Sequence, residues 1–166
     1  MHMENRTTVW SAVDFYKGLT EHNKLAKAKK FVFARVSGLE GMVEAIGKMQ
    51  FSPNFVMVAD NAAGYTELEP TPHYRSMNTV FLAMRHKVGD MEARQRCLDT
   101  IKELNRQFCS KLLMQKTLLQ ENAQYLDPRI NLQEAPSHLI PGTAICMFEV
   151  AIDTYVDMSF NPEEWE

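Results

Sequence analysis

Ala144-Ile-Cys-Met-Phe-Glu-Val-Ala-Ile-Asp-Thr-Tyr-Val-Asp-Met158 carries the pattern that decides the fold. Cys146, Phe148, Val150, Ile152, Thr154, Val156 and Met158 alternate with Ile145, Met147, Glu149, Ala151, Asp153, Tyr155 and Asp157. Successive side chains on a strand point to opposite faces, so this period of two predicts a strand with one core face and one wetter face. Fifteen extended residues would reach about 50 Å, whereas a compact chain of this length has a radius of gyration of roughly 15 Å. Such a strand overruns its own domain. The expectation is a bulge near Asp153 that bends it; the alternative is that part of it pairs outside the parent sheet.

Upstream, Met77 to Lys87 reads as another strand, with Val80, Leu82 and Met84 on one face and Thr79, Phe81 and Ala83 on the other. Gly89-Asp90 then supplies a turn and an N-cap, and Cys97, Ile101, Leu104, Phe108 and Leu112 trace one face of a long helix over about 90–116. The heptad-like spacing lasts only about two heptads, short of a coiled coil, so this helix is expected to lie lengthwise on the sheet.

Phe31–Val36 and Phe55–Ala59 are short, apolar and rich in aromatic and β-branched residues, which predicts two strands buried on both faces. Between them Ser37-Gly-Leu-Glu40 has the S-x-x-E spacing of a capping box. The helix it opens carries Leu39, Met42, Val43, Ile46 and Met49 on its apolar side and ends by Ser52-Pro53, giving a parallel strand–helix–strand crossover. No G-x-G-x-x-G or Walker sequence opens that helix, so a nucleotide-binding reading fails. Near the start, Val9, Val13, Tyr16 and Leu19 predict an amphipathic helix from Thr8, followed by the basic run Lys24, Lys27, Lys29 and Lys30, read as its solvated end. Residues 60–76 and 118–140 are read as long irregular connections, the second with a short strand at Arg129 to Gln133.

These elements predict an α+β fold: a small mixed, mostly antiparallel sheet packed by two or three helices, with long loops or arms. The 166 residues read as one domain, with a flexible N-terminus over about 1–7 and an acidic tail over about 159–166. Cys97, Cys109 and Cys146 form an odd set without C-x-x-C spacing, which points to reduced thiols in a cytosolic compartment. The longest apolar runs are about five residues, too short to enter a membrane.

Charge is unevenly spread within a net −3: residues 1–50 hold eight Lys/Arg against five Asp/Glu, and residues 141–166 hold six acids with no Lys or Arg. Two solvated surfaces, or pairing within the molecule, account for that simply. A head-to-tail contact between copies is the sharper reading, because a heterologous interface joins two different patches of one molecule.

Catalytic signatures are missing. His2, His22, His73, His86 and His138 stand without a nucleophile motif, and neither H-E-x-x-H nor paired C-x-x-C spacing occurs. No catalytic, cofactor or metal site is therefore assigned, and no enzyme activity is expected. Tyr65, Tyr74 and Arg75 are too few for a stacking surface that binds nucleic acid.

The stretch His73-Tyr-Arg-Ser-Met-Asn-Thr-Val-Phe-Leu-Ala-Met84, followed by Gly89-Asp90 and the long helix, and the final strand ending in Phe160-Asn-Pro-Glu-Glu-Trp165, resemble the small tail-terminator or head–tail joining (tail completion) proteins of tailed bacteriophages and prophages. The resemblance covers the layout of about residues 30–160 and rests on element order. It implies a non-enzymatic protomer that forms a ring, commonly hexameric, caps the tail tube, stops its polymerisation and offers a docking face to the head connector. The implied partners are further copies, tail-tube proteins and head-connector proteins, in the bacterial cytoplasm during assembly and then at the virion tail or neck. The candidate interface residues are Lys24, Lys27, Lys29 and Lys30 at the basic end, Tyr65, Glu67, Glu69, Tyr74 and Arg75 in the 60–76 segment, and Asp153 and Asp157 on the last strand. The alternatives are a small-molecule-binding or enzymatic α+β domain whose site comes from distant residues, and an intracellular adaptor.

Overall fold

The computed structural model describes residues 10–48, 54–61 and 63–166. Within them the chain is α+β, as expected. Helices α1 (Ala12–His22) and α2 (Lys24–Ala28) precede β1 (Phe31–Val36), α3 (Gly38–Lys48), β2 (Asn54–Ala59), β3 (Ala63–Glu67) and β4 (His73–Arg85). The long helix α4 (Met91–Glu121), β5 (Gln124–Leu126), β6 (Gln133–Glu134) and β7 (Thr143–Tyr155) follow, with one 3-10 turn at Pro162–Glu164. The expected start of the first helix at Thr8, the N-terminal 1–7 segment, His2, Met49 and Ser52-Pro53 lie outside the described residues.

One sheet holds every strand in the order β1-β2-β4-β7-β5, with β3 added to the free part of β4 and β6 to β7. The β1–α3–β2 unit is the expected parallel crossover, and the other pairings are antiparallel. Alternate residues separate two cores. Val56, Val58, Val80, Leu82, Cys146, Phe148, Val150 and Ile152 face α1 and α4. Phe55, Met57, Phe81, Ala83 and Ile145 face α3, through Met42 and Ile46, and Ala135 of the arm, residues 127–142, that joins β5 to β7.

The long helix lies on the sheet as its stripe requires. Asp90 caps it by accepting from the Ala93 N–H at 2.9 Å, and Leu98, Ile101, Leu104, Phe108, Leu112 and Leu119 are buried. Each such side chain contributes roughly 1.5–3 kcal/mol by leaving water. Leu119 continues the stripe beyond Lys116, and Thr117 to Glu121 contain no helix breaker, so the helix runs five residues past its expected end. Tyr16 of α1 sits fully buried between Phe108 and Phe148, with ring centroids 5.9 and 6.0 Å away.

Several expectations are corrected. Strand β7 has no bulge: thirteen residues pair one to one with β4, from Arg85↔Thr143 through Arg75↔Asp153 to His73↔Tyr155. The strand that seemed too long has a partner of equal length inside the chain, so it neither bends at Asp153 nor needs an outside sheet. Residues 60–76 are not one long loop, because Ala63–Glu67 pair with His73–Met77 and leave only residues 68–72 as the turn. The extended pairing satisfies backbone groups that a loop would leave to water.

In the second irregular segment, residues 118–121 are helical and the strands fall at Gln124–Leu126 and Gln133–Glu134, not across Arg129 to Gln133. Strand β1 is an edge rather than a doubly buried strand, with Val32 and Arg35 exposed. The Lys24–Lys30 run is not the end of the first helix. Asn23 ends α1 and caps α2, accepting from the Ala26 N–H at 2.8 Å. Finally, the Ser37 hydroxyl bonds Asp60 at 3.3 Å, and α3 starts at Gly38 in the left-handed region at φ 67°.

Candidate functional site

Strands β4 and β7 run about 40 Å at 3.3 Å per residue, and β2 pairs only with the Val80–Met84 part of β4. The other half forms a ribbon edged by β3 and β5. Its two faces carry different chemistry because parity along each strand assigns every side chain to one of them.

On the face shared with α3, strand register builds two rows. Tyr65, Arg75, Asp153 and Tyr125 lie opposite one another across β3, β4, β7 and β5. Glu67, His73 and Tyr155 form the next row. Arg75 reaches Asp153 through two bonds, Nε to Oδ1 at 2.7 Å and Nη2 to Oδ2 at 3.1 Å, and its Nη2 lies 3.3 Å from Asp127 Oδ2. The Arg75 guanidinium also stands 5.9 Å from the Tyr65 ring centroid. Its pKa is raised above the usual arginine value, first by the hydrogen bond to Asp153, so the cation is permanent and held by carboxylates.

In the second row His73 is buried; its Nδ1 donates to the Thr71 carbonyl at 2.8 Å, and its Nε2 lies 3.4 Å from Glu67 Oε2. The ring sits 5.0 Å from Tyr155 and 6.0 Å from Tyr65, and Tyr155 meets Tyr125 edge-on at 5.1 Å. Four rings thus cross the ribbon in a continuous band. Edge-on and tilted aromatic contacts of this kind are each worth about 0.5–1.5 kcal/mol beyond burial.

Beside the first row lies an open groove of about 600 Å³, floored by Met77, Thr79, Glu149 and Ala151 and walled by Gly38, Leu39, Asp127, Arg129 and Asn131. The wall stands because the arm is tied to the sheet edge. Ala135 N–H donates to Ile145 O at 2.9 Å, Arg94 donates to Ala135 O at 3.0 Å, and Lys102 pairs with Glu134 at 2.6 Å.

Of the sequence candidates, Tyr65, Glu67, Arg75 and Asp153 come together on this face. Tyr74 is on the same strand but points to the opposite face, Glu69 stands in the exposed turn, and Asp157 lies two residues beyond β7 in the tail. Lys24, Lys27, Lys29 and Lys30 are exposed around α2 and the start of β1, at the opposite end of the sheet. His73, Tyr125, Asp127 and Tyr155 were not singled out from sequence, although the alternation around Asp153 already put Tyr155 on its face.

Chemically, the surface offers hydrogen-bonding aromatic rings and an ion cluster in which one guanidinium faces two carboxylates. Among the described residues no group of three His, Cys, Asp or Glu is arranged to hold a metal. None of the described helices is long and apolar enough to cross a membrane. Cys97, Cys109 and Cys146 are free thiols. Compared with models of known protein families and with curated proteins, the chain matches none.

Proposed function

We propose that this chain is a structural protomer that self-associates through the overhanging end of its sheet, in the manner of the tail-terminator and tail-completion proteins its layout resembles. In that role a ring of copies caps the phage tail tube, halts its growth and presents a docking face to the head connector. The observation that carries the reading is the Tyr65–Arg75–Asp153–Tyr125 row, set on a ribbon that β2 does not reach. Tyr65, Tyr74 and Tyr125 are each more than two-fifths exposed there. Tyrosine and arginine are the residues enriched at protein interfaces, where a rigid ring supplies apolar area and a polar tip together.

Sedimentation velocity combined with negative-stain imaging of the purified chain tests this, with closed rings expected as concentration rises. A Tyr65→Ser, Tyr125→Ser double variant is expected to shift the chain toward monomer while keeping its circular-dichroism spectrum. A chain that stays monomeric both alone and with the tail tube overturns the proposal, as would deletion of the gene leaving tails of regulated length joined to heads.

A further inference from the structure

The described chain ends in an exposed aromatic hook. Asn161 Oδ1 accepts from the Glu163 N–H at 3.1 Å, Asn161 O accepts from Glu164 at 3.2 Å, and Pro162 O accepts from Trp165 at 3.3 Å. This turn sets the Phe160 and Trp165 rings side by side, centroids 6.4 Å apart and planes 25° apart, with the two residues 75% and 70% exposed. Asp157, Glu163, Glu164 and Glu166 are their neighbours in sequence, and residues 156–166 hold no Lys or Arg. Two large rings held in solvent by a hydrogen-bonded turn present apolar surface to a partner, and the turn lowers the ordering cost of binding.

The opposite end of the sheet has the complementary surface. Where β4 ends and β7 begins, an apolar groove of about 580 Å³ opens between α3 and the arm, lined by Val43, Ile46, Val88, Leu139, Ile140 and Pro141. Arg85, which donates to the Ile46 carbonyl, and His86 are the ionisable residues of its lining, Lys87 lies between His86 and Val88, and none of the described lining residues is acidic. The ribbon-side groove, by contrast, is lined by Asp127 and Glu149 as well as arginines.

We infer that the acidic aromatic hook, residues 156–166, docks into the Val43–Val88–Ile140 groove of a second copy of this chain. A copy cannot fill its own groove. Tyr155 and the groove stand at opposite ends of the thirteen-residue β4–β7 register, about 40 Å apart. Phe160 is five residues past Tyr155, a reach of at most about 18 Å, and Trp165 is ten residues past it, at most about 36 Å even if its turn were pulled straight. Hook and groove are different patches of one molecule, so the contact is heterologous and propagates head to tail, closing into a ring if the rotation allows. The inference rests on the self-association reading and adds to the ribbon, from whose end the hook leaves β7, a second contact at the far end of the sheet.

The test separates the two. Binding of a fluorescein-labelled 156–166 peptide to the full-length Trp165→Ala chain, whose own hook is impaired, is measured by anisotropy, alongside sedimentation of the wild-type chain. Binding is expected, weakened about tenfold or more by Val88→Asp in the groove or by alanine at both peptide aromatics, and weakened with rising salt. Val88 is 68% exposed, so its substitution leaves the fold intact. Mixing Trp165→Ala chains with Val88→Asp chains then leaves one intact hook facing one intact groove, and the mixture is expected to regain association that each variant alone has lost in part. Self-association without peptide binding, or peptide binding indifferent to Val88→Asp, overturns the docking while self-association stands. A wild-type chain that sediments as a monomer overturns both the docking between copies and the self-association reading.

Discussion

Arg75 and Asp153 face each other across the β4–β7 ribbon and close a two-point clamp, with Nε–Oδ1 at 2.7 Å and Nη2–Oδ2 at 3.1 Å. Asp127 joins from the arm at 3.3 Å, so one guanidinium ties two strands to the segment that walls the groove. The Arg75 and Asp153 side chains are 23% and 17% exposed, between the surface pairs worth about 0–1 kcal/mol and the buried ones whose breakage costs about 3–5 kcal/mol. Arg75→Ala leaves two carboxylates without their cation and is expected to cost about 1–3 kcal/mol, read from the urea midpoint at unchanged slope. Arg75→Lys keeps the charge, loses the fork, and should recover only part of the loss. An Arg75→Ala midpoint equal to wild type would show that the clamp adds nothing to stability.

Gly64 faces the same ribbon from β3. A Cβ there would fall 1.8 Å from the Arg75 carbonyl oxygen and 2.9 Å from its carbonyl carbon, both backbone atoms of β4. Gly64→Ala is therefore expected to push β3 away from β4, costing about 1–3 kcal/mol and speeding hydrogen exchange at the Ala63–Glu67 amides. Gly18 is the contrast: in the middle of α1, with nothing within 4 Å of an added Cβ, its replacement by alanine should gain about 0.5–1 kcal/mol. Unchanged exchange in β3 of Gly64→Ala would mean that the strand tolerates the methyl and that the close approach is not what demands glycine.

The alternation over residues 144–158 was legible because a period of two is a local property of the chain. The partner of that strand was not. His73-Tyr-Arg-Ser76 looks like loop because these four residues carry no aliphatic side chain and so no alternation of apolar and polar positions. Tyr65 and Thr66 suit a strand, but Gly64, the Asp60-Asn61 turn and Pro70 and Pro72 hid five paired residues. Once β4 is known to be as long as β7, the length that suggested a bulge at Asp153 needs no special device.

The same missing register limited the reading of the site. Tyr74 and Arg75 are adjacent in sequence and were chosen together, yet parity sends them to opposite faces. Tyr125 and Asp127 could be placed beside Arg75 only after β5 was known to pair with Ile152–Thr154. Residue types that recur at interfaces were visible; the rows they form depend on long-range pairing.

The α4–α1 core predicts a graded response to truncation. Phe108 is 1% exposed and its ring meets Tyr16, so Phe108→Ala removes a large buried group that the packed sheet cannot fully replace, at a cost of about 3–5 kcal/mol. Met114, on the same helix, is 71% exposed, and Met114→Ala should stay within about 0.5 kcal/mol. Asp90→Ala removes the cap on the Ala93 N–H and should fall between them, at about 1 kcal/mol. Thermal and urea melts of the three variants check the order. A Phe108→Ala loss no larger than that of Asp90→Ala would contradict the packing described.

Cys146 gives the fold a dependence on alkaline pH. It is fully buried in the sheet core facing α4; burial, with a smaller effect from the Glu134 carboxylate, pushes its thiol up to about 11. Burial penalises the thiolate, so the native state keeps its proton over a range in which the unfolded chain, with an ordinary thiol, has lost it. The state that binds more protons is disfavoured as pH rises, so this contribution is fully present below the unfolded thiol pKa and is lost as pH climbs through that value toward about 11. Between about pH 8 and about pH 10.5, wild-type stability should fall further than that of Cys146→Ala, whose lower absolute stability reflects only the smaller side chain. Comparing the two slopes cancels the titration of lysines and tyrosines common to both chains, and parallel slopes would count against a protonated thiol in the core. A maleimide reagent offers an independent check near pH 8: Cys146 should be labelled only after urea unfolds the chain, because the native thiol is both protonated and out of reach.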